Sequence, residues 1–185
     1  LGCTFCSTGR MGFQRNLTPS EILGQVLVAR DHLHSTDNPL PLRNIVFMGM
    51  GEPLLNWPQV RHSLDIIRDP LGLNFSHRRV TVSTVGVPET LETCARSELA
   101  SLAVSLHAPD QSLRAELMPR AARLMPLADL MSVLQSIPLK PRQRITIEYI
   151  LIKGVNDSVQ QAKDLHRLLS GLKCKINLIA FNPGG

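Results

Sequence analysis

The sequence predicts a parallel α/β fold whose sheet either curls toward a barrel or stays open and doubly wound. Three observations carry that expectation. Five short apolar runs are separated by stretches of helical periodicity, the alternation that builds βαβ units. Crossovers of that kind are right-handed, which leaves those two sheet topologies. The Gly-rich and polar oddities collect at the carboxyl ends of the strand-like runs, where parallel α/β folds bind their ligands.

Each element follows from a local signal. Thr18-Pro19-Ser20-Glu21 supplies a hydroxyl cap, a first-turn proline and an early acid, and Ile22, Leu23, Val26, Leu27 and Arg30 carry helical spacing to about His34. A loop over 35–42 follows, with Pro and Asn. Asn44–Met48 is an apolar strand stopped by Gly49-Met50-Gly51. Val60, Leu64 and Ile67 share a helix face over 59–68. Arg79–Ser83 alternates as a strand and Pro88–Arg96 reads as a short helix. Leu99–Leu106 is a strand ending in His107-Ala108-Pro109. Two helices, 111–117 and 127–137, are joined by a link bearing Pro and Arg. Arg144–Ile152 is the longest strand. Asn156-Asp157-Ser158 opens a helix to about Leu169, Gly171 is a stop signal, and Lys175–Phe181 is the last strand.

Composition bounds the function. The 185 residues suffice for one domain with a sizeable core. A hydrophobic content of 43% with 19% charged residues excludes a disordered chain. No apolar run approaches the roughly 18–20 residues of a membrane span, and no secretory pattern is present. The formal charge of +5 permits an anionic partner such as RNA without requiring one. Arg78, Arg79, Arg120, Arg123, Lys140, Arg142 and Arg144 are candidate phosphate contacts, each with a solvated basic face as its ordinary alternative. Four cysteines without scaffold spacing imply a reducing, cytoplasmic setting.

Four clusters fall at strand ends: Gly51-Glu52, Ser83-Thr84, Ser105-Leu106-His107 and Asn182. Taken singly, each has an ordinary explanation as a turn, a capping hydroxyl or a satisfied histidine. Their convergence on one end of a parallel sheet is what marks a ligand site. Cys3 and Cys6 stand in the segment before the first helix. A Cys-x-x-Cys pair suits a dithiol redox couple, half of a zinc site or part of an iron–sulfur site. The Gly-bearing loop between the pair and the helix weakens the redox reading, and the isolation of Cys94 and Cys174 weakens the zinc reading.

CTFCSTGRMGFQRNL, FMGMGEPLLN, RRVTVSTVGV, SLHAPD, ITIEYILIKGVND and CKINLIAFNP occur in this order. Together they closely resemble the RlmN/Cfr family of radical S-adenosylmethionine RNA adenine methyltransferases, over essentially the whole chain. The resemblance implies a partial (β/α)6 TIM-like barrel, parallel strands with helices outside, truncated at both ends, with residues 1–185 as a radical S-adenosylmethionine core. It implies a 4Fe–4S cluster, held by Cys3 and Cys6 as the second and third cysteines of a Cys-x-x-x-Cys-x-x-Cys motif whose first cysteine is expected upstream of Leu1. It implies S-adenosylmethionine held by Gly51, Glu52, Ser83, Ser105, Leu106, His107 and Asn182.

In that family an electron from the cluster cleaves S-adenosylmethionine to start radical chemistry, and a methyl-cysteine carries the new carbon to adenine. The methyl-carrying cysteine, the resolving cysteine and the acid/base carboxylate are expected outside this chain, so the chain alone is expected to be inactive. The implied substrates are 23S ribosomal RNA and, for some members, transfer RNA, with C2 of adenine favoured over C8. An electron donor is the further implied partner, and a monomer without a membrane is expected. Cys94 and Cys174 are expected to be buried structural thiols, Glu148 a structural ion pair with a hydrogen bond inside the barrel as its alternative, and Trp57 and Phe13 packing residues with stacking on bases as theirs. The link RAARLMP and the ending PGG depart from the family's usual wording. Two other readings remain: another radical S-adenosylmethionine enzyme, such as a glycyl-radical activase, and a zinc-stabilised RNA-binding module.

Overall fold

The computed structural model describes residues 1–37 and 39–182. Asn38 of the first loop and the Pro183-Gly184-Gly185 ending lie outside the described residues. The elements run α1 (Pro19–His34), β1 (Ile45–Phe47), α2 (Trp57–Arg68), β2 (Val80–Thr84), α3 (Pro88–Arg96), β3 (Ser101–Ser105), α4 (Gln111–Leu117), α5 (Pro119–Leu124), α6 (Leu127–Ser136), β4 (Ile145–Leu151), α7 (Val159–Leu168) and β5 (Cys174–Ala180).

The strands pair in chain order, β1-β2-β3-β4-β5, and every pairing is parallel. A doubly wound sheet needs a point where the strand order reverses. None exists among the described strands, so the sheet is of the barrel type.

Side-chain alternation gives the sheet two unlike faces. Val80, Val82, Leu102, Val104, Ile145, Ile147 and Tyr149 pack with Leu64, Ile67, Leu91, Leu130 and Leu134 from the helices into one large core. The opposite face is more polar. Ser83, Ala103 and Thr146 stand in register across it, and one step further Ser105, Glu148 and Asn177 do the same. Burying apolar side chains on the helix side stabilises the sheet, at roughly 25 cal/mol per Å², and leaves the polar face to a ligand.

Local signals explain the boundaries. Thr18 makes both halves of a capping box with Glu21, with Pro19 in the first turn. Three elements differ from the sequence expectation. β1 is shorter, because Met48 is exposed and Gly49 turns the chain at φ +103°. β3 is trimmed at both ends, where Glu98 and His107 adopt positive φ, 53° and 59°. The link after α4 is itself a helix, α5. Pro119 starts it, and Ala121 and Ala122 are buried.

Candidate functional site

The parallel register brings the carboxyl ends of all five strands to one edge of the sheet. Gly51 and Glu52 follow β1, Thr84 and Val85 close β2, Leu106 and His107 follow β3, and Asn182 follows β5. The cysteine loop sits on the same edge. Leu1, Cys3 and Phe5 pack against a small second core of Val85, Leu117, Met118 and Ala121, joined there by Leu113 and Ile152.

Backbone hydrogen bonds fix that loop. The Thr4 N–H donates to the Leu117 carbonyl at 3.0 Å, and the Thr4 hydroxyl donates to the same oxygen. The Cys6 N–H donates to the Cys3 carbonyl, and the Gly9 N–H donates to both the Cys6 carbonyl and, at 3.3 Å, Cys6 Sγ. Phe5 meets the His107 ring edge-on at 5.0 Å. Both cysteines are free and half-buried. Burial first, and then the neighbouring Cys6, push the Cys3 thiol up from its ordinary value.

Glu52 ties β1 to β2. One carboxylate oxygen accepts from the Val85 N–H at 2.9 Å and the other from the Leu54 N–H at 3.1 Å, capping the 3-10 turn Pro53–Asn56. Burial raises its pKa, while these donors and the Thr84 hydroxyl pull it back. Gly51, at φ +82°, makes the turn that presents Glu52.

His107 is buried, 6% exposed, and joins β3 to β4. Its N–H donates to the Glu148 carbonyl, and its Nδ1 accepts the Ile150 N–H at 3.1 Å. An accepting Nδ1 places the ring proton on Nε2. Burial, and then the Arg114 charge, lower its pKa to about 4, so the ring is neutral near neutrality and is not poised as a base. The Leu106 side chain lies in the large core, which leaves its main chain for the site. Ser83 is buried and Ser105 half-buried on the polar face. Asn182 is exposed at the edge.

Four residues that sequence reasoning gave no ligand role complete the edge. Asn156 donates from Nδ2 to the carbonyls of His107 and Ile150, and its Oδ1 accepts from the Ile152 N–H. The Tyr149 hydroxyl donates to the Asn156 carbonyl. Glu148, 4% exposed, accepts from Asn177 Nδ2 at 2.8 Å. No ion pair of Glu148 is found among the described residues, so of its two expected roles the hydrogen bond inside the barrel is the one observed. Arg114 is fully buried on α4 and donates to the Met125 carbonyl at 2.6 Å and the Val85 carbonyl at 2.9 Å.

Other expectations divide. Cys94 is buried in the core, and Cys174 is half-buried at the amino end of β5. Trp57 is buried, whereas Phe13 is 80% exposed. Arg78, Arg79, Lys140, Arg142 and Arg144 precede strands β2 and β4. They occupy the opposite end of the sheet from this edge. Arg120 and Arg123 lie on α5, beside the site.

The donor set suits iron. Two thiols on a short loop, one of them accepting an N–H, match the sulfur ligation and N–H···S bonding of iron–sulfur sites. No group of three His, Cys, Asp or Glu side chains able to hold a metal exists among the described residues, and Cys94 and Cys174 are remote from the loop. The chain's own cysteines therefore do not form a closed four-thiolate zinc site.

Comparison with known proteins agrees with this geometry. The family model described as "Radical SAM superfamily" matches residues 1–166. The chain is 60% identical to a protein of Nitratidesulfovibrio vulgaris (strain DSM 19637 / Miyazaki F) named dual-specificity RNA methyltransferase RlmN, over 99% of this chain and 50% of that protein. It is 59% identical to a protein of the same name from Oleidesulfovibrio alaskensis, over 100% of this chain and 52% of that protein. The chain thus spans about half the length of the curated relatives it matches. Among solved structures, a radical SAM methyltransferase from Sphaerobacter thermophilus superposes with a TM-score of 0.90 at 43% identity, covering 98% of this chain and 53% of that one.

Proposed function

The chain belongs to the radical SAM superfamily, and from that premise we propose that it is the core of an enzyme that methylates an adenine carbon of RNA, C2 in preference to C8. The observation that carries this reading is the seating of the Cys3–Cys6 loop on the carboxyl edge of the sheet, through Thr4 to Leu117 and through Phe5 to His107. The naming of its relatives as RNA methyltransferases supports the substrate class.

The superfamily's cofactors are a 4Fe–4S cluster and S-adenosylmethionine. Cys3 and Cys6 would supply two thiolates to the cluster. When bound, the cluster supplies one electron to S-adenosylmethionine and so starts radical chemistry. The protein's part is to position and to exclude water. Glu52, already held by two backbone N–H groups, keeps lone pairs for an ammonium, and Gly51 lets the main chain approach. Ser83, Ser105, the Leu106 main chain, His107 and Asn182 would line the rest. Neutral His107 offers Nε2–H as a donor, not a base.

The substrates on this reading are 23S ribosomal RNA and transfer RNA, with a one-electron donor as the other partner, for a monomeric cytoplasmic enzyme. No described helix is long and apolar enough to cross a membrane. The test is an anaerobic assay of the full-length protein carrying this chain, with its cluster reconstituted, S-adenosylmethionine, a reductant and ribosomal RNA, read by mass spectrometry of nucleosides. We expect 2-methyladenosine. 8-Methyladenosine would overturn the regiochemistry. No methylated adenine would overturn the function, and a glycyl radical on a partner protein would favour an activase.

A further inference from the structure

Arg114 is the one buried cation among the described residues. It is fully buried, 0% exposed. It forms no ion pair among the described residues. Nη1 and Nη2 each donate to a carbonyl, of Met125 and Val85, and Nε is buried with no partner. A buried cation without a counter-charge costs several kcal/mol. Two neutral carbonyls do not offset that, and a neutral amide would serve to bridge them.

Its surroundings say where the counter-charge belongs. Arg114 shares α4 with Leu117, whose carbonyl accepts from Thr4, between the two cysteines. Val85, its other partner, is in the small core against which Cys3 and Phe5 pack. The guanidinium is therefore bonded into the same small core that seats the cysteine loop, and it is shielded from solvent.

We propose that Arg114 is a positioning residue that serves as the buried counter-charge of the iron–sulfur cluster on Cys3 and Cys6 and raises its reduction potential. The inference rests on the cluster reading above. A thiolate-ligated cluster is anionic and gains a further negative charge when it accepts one electron from an external low-potential donor. No proton or bond changes at Arg114. A fixed cation nearby favours the reduced form, since net charge and solvent exposure set these potentials.

The experiment is a redox titration of the cluster, followed by electron paramagnetic resonance, in the full-length protein carrying this chain and its variants Arg114→Gln, Arg114→Met and Arg114→Lys. Iron and sulfide content of the parent reports on the cluster reading by itself; without a cluster there, both statements fall. With it, Arg114→Gln and Arg114→Met are expected to weaken reduction at least tenfold, a drop of about 59 mV for one electron, while Arg114→Lys stays near the parent. A loaded Gln or Met variant at the parent's potential overturns the proposal. If neither holds a cluster but Lys does at the parent's potential, the charge is required and the proposal stands. Loss of the fold in all three, seen by circular dichroism, assigns Arg114 to the scaffold and overturns it.

Discussion

Ile150 donates its backbone N–H to Nδ1 of His107 over 3.1 Å, so a side chain continues the β3–β4 ladder where β3 has already ended. His107 holds this position at φ 59° and is buried, which lowers its pKa from 6.5 to about 4. An unfolded chain takes up the proton near pH 6.5, whereas the folded chain resists it to about 4. Stability is therefore full above pH 6.5 and is lost as pH falls through that window, by about 3 kcal/mol. Asn tolerates the left-handed backbone and does not titrate. We expect His107→Asn to narrow the difference between urea midpoints at pH 7.5 and 4.5. An undiminished difference would show that other groups set the acid sensitivity.

Asn156 is the second link across this edge. Its side chain uses both donors and its acceptor on His107, Ile150 and Ile152. Removing them leaves buried backbone groups unpaired, at about 1–3 kcal/mol each before relaxation. We expect Asn156→Ala to cost about 3 kcal/mol in denaturant unfolding. Asn156→Asp, which turns oxygen toward two carbonyls, is expected to cost no less. A loss below that of an exposed substitution such as Glu116→Ala would remove Asn156 from the scaffold of the site.

Much of this architecture is legible from the chain. Pro88 and Arg96 bound α3 as expected, and Thr18 with Glu21 announces the start of α1. The convergence of Glu52, His107 and Asn182 follows from strand order alone. What sequence cannot supply is burial of polar groups. Arg114 falls three residues before Leu117 and four before Met118 on a helical face, a spacing that would place it inward, yet an arginine there reads as solvated. Asn156 reads as a helix opener, while Ser158 is the cap and Asn156 reaches back to β3. α5 hid behind Pro119 and two arginines, because six residues carry too little periodicity to announce a helix.

The four cysteines should separate chemically. Cys94 is 5% exposed, and burial, then the Glu52 charge, push its thiol up to about 12. Only thiolate reacts appreciably. In the native chain at pH 8 we expect iodoacetamide to label the half-buried Cys6, to label Cys3 more slowly because burial raises its thiol as well, and to leave Cys94 untouched. In the full-length protein, Cys3→Ser or Cys6→Ser is expected to abolish the 4Fe–4S absorption, and Cys94→Ala to retain it. Retention of iron after loss of Cys6 would sink the assignment of the loop.

Glu52 combines a scaffold role with a proposed ligand role, and one variant separates them. Glu52→Gln keeps one oxygen for a backbone donor but sets an amide against the other. The expected stability loss is about 1–2 kcal/mol. Loss of the carboxylate also removes the charged partner of the S-adenosylmethionine ammonium, about 1.5–3 kcal/mol, or at least tenfold in affinity. Calorimetric titration of the folded variant measures the second effect. Unchanged affinity would leave Glu52 with its cap alone.

Gly86 connects the scaffold to the buried guanidinium. It follows Val85, whose carbonyl binds Arg114, and lies at φ +94°. A Cβ there would come within 3.0 Å of Leu130 Cδ1 and 3.1 Å of Met125 Cγ, and Met125 carries the other carbonyl bound by Arg114. Gly171, at φ +80°, has nothing within 4 Å of its added Cβ. The two therefore share a backbone cost of roughly 1–2 kcal/mol, and only Gly86 adds overpacking, about 1–3 kcal/mol. Gly86→Ala should then be the more destabilising of the pair in denaturant melts. Equal losses would mean that Met125 and Leu130 yield freely, and that the carbonyl pair around Arg114 is not held by packing.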